Sequence, residues 1–154
     1  MDGGPFTLAA APTFNLIACN DENSFQHLSL EDVEQLATDA LVGAGTCPES
    51  AQSLARAVRA AERDGIRSHG LMYVPTYCEH VRCGKVDGTA VPEVTQSRAS
   101  ALQVDAKTGF AHPAIDAGFP QLQPLAQANG CAGMTIRNSY NCGVLGYHVE
   151  RLAE

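Results

Sequence analysis

The chain has 154 residues, 45% of them hydrophobic and 18% charged, with a formal net charge of −7. This length suits one domain or part of one, and the composition is that of a folded chain rather than a disordered one. The acidic balance offers no cluster of Lys and Arg for a phosphate backbone, and no apolar run reaches the roughly 20 residues that a bilayer span requires. Nucleic acid and membrane are therefore excluded as partners, and a cytoplasmic location is expected. Six cysteines, Cys19, Cys47, Cys78, Cys83, Cys131 and Cys142, form no C-x-x-C pair and are expected to be reduced.

Residues 1–26 show no sustained periodicity and include Gly3-Gly4-Pro5 and Pro12, the pattern of a loose extension. Ordered structure is expected from "LSLEDVEQLATDALVGAG", with Ser29 as N-cap and Leu30, Val33, Leu36, Ala40 and Leu41 on one face. A second helix follows in "CPESAQSLARAVRAAERDG", with Pro48 in its first turn, a stripe of Ala51, Leu54, Val58 and Ala61, and Gly65 as terminator. "GLMYVPTYCEHVRCG" suggests a third, interrupted early by Pro75, with His69 near its N-terminal end.

Beyond residue 85 the pattern changes. "SALQV" and "AGMTI" are strand candidates, and "GFAHPAIDAGFPQLQPLAQANG" between them is helical, with a kink or a split expected at Pro120 and Pro124. A last helical pattern carries Val144, Tyr147, His148, Arg151 and Leu152 and runs to the final residue without a cap. The fold class is thus α/β: a helical segment over 27–85, then part of a sheet domain over 86–154, the whole resembling a truncated chain.

Ser68-His69 is the first chemical candidate, since imidazole exchanges protons near neutral pH and a neighbouring hydroxyl can fix its tautomer. As an isolated dipeptide it reads more readily as a cap between helices. "NSYNCGVLG" is the second, a turn between strand and helix whose backbone N–H groups could meet phosphate, although it lacks the G-x-G-x-x-G order. Cys78, His80 and Cys83 match no usual zinc spacing, and no metal is expected. His112 in a first helical turn suggests a surface or capping residue, and His148 on an apolar stripe suggests a packed one. Ser139 has no G-x-S-x-G elbow around it, which argues against a serine hydrolase.

Taken together, "ERDGIRSHGL", "YCEHVRCG", "ALQVDAKTGFAHPAIDAG" and "GMTIRNSYNCGVLGYH" resemble the malate/L-lactate dehydrogenase family that does not use the Rossmann fold, over residues 28–154. That family includes sulfolactate and ureidoglycolate dehydrogenases and Δ1-piperideine-2-carboxylate/Δ1-pyrroline-2-carboxylate reductases. The resemblance implies an L-sulfolactate dehydrogenase-like fold, NAD or NADP as cofactor, and a small 2-oxo acid, 2-hydroxy acid or cyclic imino acid as substrate. It also implies a homodimer for family members of full length, which are roughly twice as long as this chain.

By the same resemblance, His69 donates the substrate proton with Ser68 beside it, and an Asp that completes the pair lies beyond residue 154. Tyr73 stands where many members carry an Arg on the substrate carboxylate. Asn141 stands where many carry a His, and Asn141, Cys142, Gly143, Val144 and Leu145 match a segment that contacts the cofactor through its backbone. The alternative expectation is an inactive N-terminal portion that persists as an interaction partner.

Overall fold

The computed structural model describes residues 27–153; the N-terminal extension expected over 1–26, and Cys19 with it, lies outside them. Helix α1 spans Leu30–Gly43 and begins at a reciprocal capping box, in which Ser29 Oγ accepts from the Asp32 N–H at 3.0 Å and the Ser29 N–H donates to the Asp32 carboxylate at 3.2 Å. Its buried face is Val33, Ala37 and Leu41. Leu36, expected inside, is 51% exposed; 3.6-residue periodicity places Ala37 rather than Leu36 in line with Val33 and Leu41.

Helix α2, Pro48–Arg63, has Pro in its first turn and buries all four expected positions, Ala51, Leu54, Val58 and Ala61. Its high alanine content lets α1 approach closely. Gly65, at φ +73°, turns the chain out of the helix, a conformation that suits glycine.

The third helix differs from expectation. Two single 3₁₀ turns, Arg67–His69 and Leu71–Tyr73, precede α3, which runs Val74–Arg82. Pro75 falls in the first turn of α3, where its missing N–H breaks no helical bond, so it starts the helix instead of interrupting it. His69 therefore sits in a turn ahead of α3.

The sheet has three strands in the order β1 (Glu93–Arg98), β2 (Ala101–Asp105), β3 (Gly133–Arg137). β1 and β2 form an antiparallel hairpin, and β3 joins β2 in parallel, with Leu102 opposite Met134 and Val104 opposite Ile136. β2 and β3 fall where expected, but β3, expected as a buried strand, has only Met134 and Ile136 partly covered, because it is the other edge of the sheet. β1 carries no apolar alternation to announce it, because it is an edge strand whose side chains are almost all solvent-exposed.

Helix α4, Ala111–Asn129, forms the crossover from β2 to β3 and is assigned unbroken through Pro120 and Pro124. Both prolines are exposed, so the carbonyls left without a helical donor can bond to water, and the expected split does not occur. Gly130, at φ +80°, closes it. Gly118 faces Met134 and Val104 so closely that a Cβ would overlap the Met134 sulfur. Helix α5 spans Leu145–Ala153.

Two apolar clusters hold this arrangement. One joins α1, α2 and α3 with Val86 and Phe110; the other packs Val104, Ala106 and Ala114 between α4 and the sheet. Asp116 of α4 fastens the later elements to α2. It accepts from Ser53 Oγ at 2.6 Å, from Arg56 at 2.9 Å and from Arg151 of α5 at 2.7 Å. Burial raises the Asp116 pKa, but the bonds from Ser53 and Arg151 outweigh it and hold the carboxyl below its ordinary value. Asp116→Ala leaves two guanidinium groups and a hydroxyl short of their acceptor. It should cost about 2 kcal/mol, less than a fully buried pair because these groups are partly hydrated, as urea unfolding would measure.

Candidate active site

The Ser68-His69-Gly70 turn is held from both sides. The His69 N–H donates to Ile66 O at 2.9 Å and the Gly70 N–H to Arg67 O at 3.1 Å. From the end of α2, Glu62 reaches over to accept from the Leu71 N–H at 2.8 Å. Its carboxylate lies so close to Gly70 that a Cβ there would overlap it, which is the physical reason for a glycine after His69. Gly70→Ala should displace Glu62 and release the Leu71 N–H, lowering stability by about 1–2 kcal/mol in a urea titration.

Ser68 Oγ lies 3.1 Å from His69 Nδ1. With Nδ1 engaged by the hydroxyl, Nε2 is the nitrogen left to face a ligand. Ser68 is exposed and His69 half-buried, so the pair is open to a small molecule.

From His69 a line of rings leads into the molecule. The His69 ring lies nearly parallel to that of Tyr73 with centroids 6.3 Å apart, Tyr73 meets Tyr77 edge-on at 4.8 Å, and Tyr77 meets Tyr140 at 6.1 Å. Phe110 closes the group at 5.9 Å from Tyr77 and 6.0 Å from Tyr140. Burial first, then the neighbouring Tyr73 and Tyr140, push the Tyr77 pKa well above the ordinary tyrosine range, so it stays protonated. Tyr140 is pushed up to about 12 by burial and by the adjacent Tyr73 hydroxyl.

The Asn141–Leu145 segment sits at the far end of this line. Gly143, at φ +65°, donates its N–H to Asn141 Oδ1 at 3.2 Å, and a Cβ on Gly143 would lie 3.4 Å from His112 Nε2 and 4.0 Å from the Tyr77 hydroxyl. The Cys142 carbonyl is 2.9 Å from His148 Nε2. Leu145 and Gly146 open α5 and are both exposed, in the first turn, where N–H groups have no acceptor within the helix; the next N–H, of Tyr147, donates to Val144 O at 3.2 Å.

His112 differs from the capping or surface residue expected. It is 1% exposed, and its ring centroid lies 5.3 Å from that of His148, beneath Gly143. Neither ring nitrogen has a partner among the described residues. Burial, and then His148, push its pKa down to about 3. The burial was legible in principle: His112 shares a period with Ile115 and Gly118, both of which are inside.

Sequence reasoning also passed over Glu62, Tyr77 and Tyr140; what marks them is contact, not spacing. The zinc candidates are otherwise engaged, Cys78 donating to Ala40 O at 3.4 Å, Cys83 to His80 O at 3.6 Å, and His80 meeting the Tyr140 hydroxyl. Among the described residues no three His, Cys, Asp or Glu side chains converge as a metal site, and no helix is long and apolar enough to cross a membrane.

A helical leader, a Ser-His turn and a small mixed sheet form the fold of an established class of dehydrogenases. The structure is similar to the Δ1-piperideine-2-carboxylate reductase of Pseudomonas syringae pv. tomato, with a TM-score of 0.80 and 38% identity over 82% of this chain and 38% of that one. It also has the fold of the sulfolactate dehydrogenase of Methanocaldococcus jannaschii, at a TM-score of 0.74 and 22% identity over 80% of this chain and 36% of that one. The family model for malate/L-lactate dehydrogenase matches residues 28–154, and the chain belongs to that family.

Among curated relatives it is 42% identical over 126 residues to the (2R)-3-sulfolactate dehydrogenase (NADP(+)) of Chromohalobacter salexigens, covering 82% of this chain and 38% of that protein. It is 39% identical over 127 residues to the Δ1-pyrroline-2-carboxylate reductase of Ancylobacter novellus, covering 82% and 37%. The chain thus spans under two fifths of the length of these relatives.

Proposed function

We propose that this chain carries the proton-donating part of an NAD(P)-dependent oxidoreductase that acts on a small 2-oxo or 2-hydroxy acid or a cyclic imino acid. The observation that carries this reading is the tyrosine cluster: it joins Ser68-His69 to Asn141–Leu145, two segments about seventy residues apart that the resemblance had assigned to substrate and cofactor. His69 Nε2 supplies the proton to the substrate oxygen or nitrogen, and Ser68 orients the ring through Nδ1. Tyr73 donates a hydrogen bond to the substrate carboxylate. The nicotinamide cofactor, when bound, supplies the hydride that carbon receives.

Asn141, Cys142, Gly143, Val144 and Leu145 fit such a cofactor. Gly143 lets the backbone lie flat over His112, and the exposed first turn of α5 offers N–H groups of the kind that meet phosphate oxygens. In this reading residues 27–85 form the substrate side and 86–154 the cofactor side, and the protein works in the cytoplasm as a homodimer.

The test is the oxidation of NADPH or NADH with pyruvate, oxaloacetate, sulfopyruvate or Δ1-pyrroline-2-carboxylate, followed at the absorbance of the reduced cofactor. Turnover supports the reading; no turnover and no cofactor binding with the full set refutes it for this chain.

A second reading, an inactive portion that acts by association, has its own observation. Leu145, Val149 and Leu152 lie along one face of α5 and are 69%, 65% and 50% exposed, a stripe suited to a protein partner. Sedimentation of the purified chain with and without a full-length relative separates the two readings.

A further inference from the structure

Among the described residues, the side chains other than glycine that sit on a backbone of positive φ are Lys107 (+53°) and Thr108 (+67°), just after β2, and Asn138 (+52°), just after β3. Such a backbone is uncommon for Lys and Asn and an outlier for the β-branched Thr108, so the surroundings must impose it. They do so with bonds that cross between the two loops. The Ala106 N–H donates to Arg137 O at 3.0 Å, the Thr108 N–H to Asn138 O at 2.8 Å and the Tyr140 N–H to Gly109 O at 2.9 Å.

At this crossing lies the carboxylate of Asp105, the last residue of β2, buried and opposite Arg137 in the parallel register. Its Oδ1 accepts from the Lys107 N–H at 2.9 Å and from Asn138 Nδ2 at 3.0 Å, and its Oδ2 meets Arg137 at 2.9 Å. One oxygen thus ties the loop after β2 to the loop after β3. The Arg137 side chain is 58% exposed, so its ion pair is worth little beside the two bonds to Oδ1. The carboxyl's acidity has the same order of causes: the Lys107 N–H first, then Asn138, hold it below its ordinary value. The chain that Asn138 opens runs through Ser139 and Tyr140 into Asn141–Leu145, and no helix or strand includes 138–144. In open α/β sheets ligands bind outside the carboxyl ends of the parallel strands, and a site built on loops needs them held in one geometry.

We infer that Asp105 is a positioning residue: by clamping the Lys107 N–H and the Asn138 side chain to one oxygen, it sets the backbone of Asn141–Leu145 for the nicotinamide cofactor. The inference rests on the reading of that segment as the cofactor side. Asp105 touches no ligand in it and acts through Asn138.

The experiment is titration of the whole nitrogen-labelled chain with NADPH and with NADH, followed by cofactor fluorescence and by the NMR amide signals of residues 141–145. Asp105→Ala removes both bonds to Oδ1; it should move those signals and weaken cofactor binding about 10-fold. Asp105→Asn keeps an oxygen for both donors and should stay within about 3-fold of the parent, as should Arg137→Gln, which cuts only the exposed pair. Asn138→Gly keeps the positive φ without strain and removes one bond, so it tests the same link should Asp105→Ala not fold; it too should move the 141–145 signals. The His69 ring signals should stay in place in every folded variant, which a general loosening of the structure would not allow. Signals that ignore Asp105→Ala and Asn138→Gly, or an Asp105→Asn no better than Asp105→Ala, would overturn the clamp. Because the amide signals need no cofactor, the clamp is separable from the oxidoreductase reading. Moved signals with recovery in Asp105→Asn, in a chain that binds neither nucleotide, keep the clamp and remove the cofactor reading; nucleotide binding with unmoved signals does the reverse.

Discussion

Replacing His69 with Gln is expected to lower kcat/KM for NADPH-dependent reduction about 10³-fold, the usual scale of a lost general acid. Gln retains the size and one donor but cannot release a proton near neutral pH. Ser68→Ala should cost less, about 10-fold, since it removes only the partner 3.1 Å from Nδ1 and leaves Nε2 in place. The pair of variants distinguishes donor from orienter: kcat should carry the loss in His69→Gln, with cofactor affinity unchanged because the segment proposed to hold the cofactor, Asn141–Leu145, is not altered. Equal, small losses in both variants would show that the turn serves only to link α2 and α3.

The second large effect is on stability in mild acid. His112 is buried with its pKa pushed down to about 3, and burial with the adjacent His148 is the cause. Arg151 and Arg56 add to the effect and Asp116 opposes it. In the unfolded chain the same imidazole binds a proton near pH 6.5. Between those values the unfolded state holds more protons than the folded one, so stability is complete above about pH 6.5 and falls as the pH drops towards about 3.

The loss at pH 5 relative to pH 7.5 should be about 2 kcal/mol from His112 alone. His148, lowered by burial, acts in the same direction. Asp116, held below the ordinary carboxylate value, adds a further loss only at more acid pH, as its protonation weakens the bonds to Ser53, Arg56 and Arg151. Urea unfolding at both pH values is the measurement, with His112→Phe as the control that has no proton to gain. The variant should lose well under half as much as the parent; an equal loss would place the acid sensitivity elsewhere.

The same residue marks the limit of what local sequence carries. A histidine before Pro113 in a first helical turn carries the signature of a capping residue, and nothing local says that Gly143, thirty-one residues later, lies over it. Pro75 and the α4 prolines show the limit differently. Proline restricts the chain in a known way, but whether it starts a helix, splits it or sits harmlessly on its outer face depends on which side water reaches. β1 was missed because an exposed edge strand has no apolar face to mark it.

What the sequence by itself determined is the local order: the cap at Ser29, the buried stripe of α2, the stop at Gly65, the strand–helix–strand succession of β2, α4 and β3, and the Ser68-His69 and Asn141–Leu145 motifs with their family. Each depends on neighbours within a few residues, where periodicity and backbone preference act directly. What only the tertiary structure decided is that Tyr73, Tyr77 and Tyr140 join the two motifs, that Glu62 pins the Gly70 turn, and that His112 and His148 meet beneath Gly143. Those contacts span up to about sixty-five residues of chain, and burial, not spacing, selects which of the available polar and aromatic groups meet.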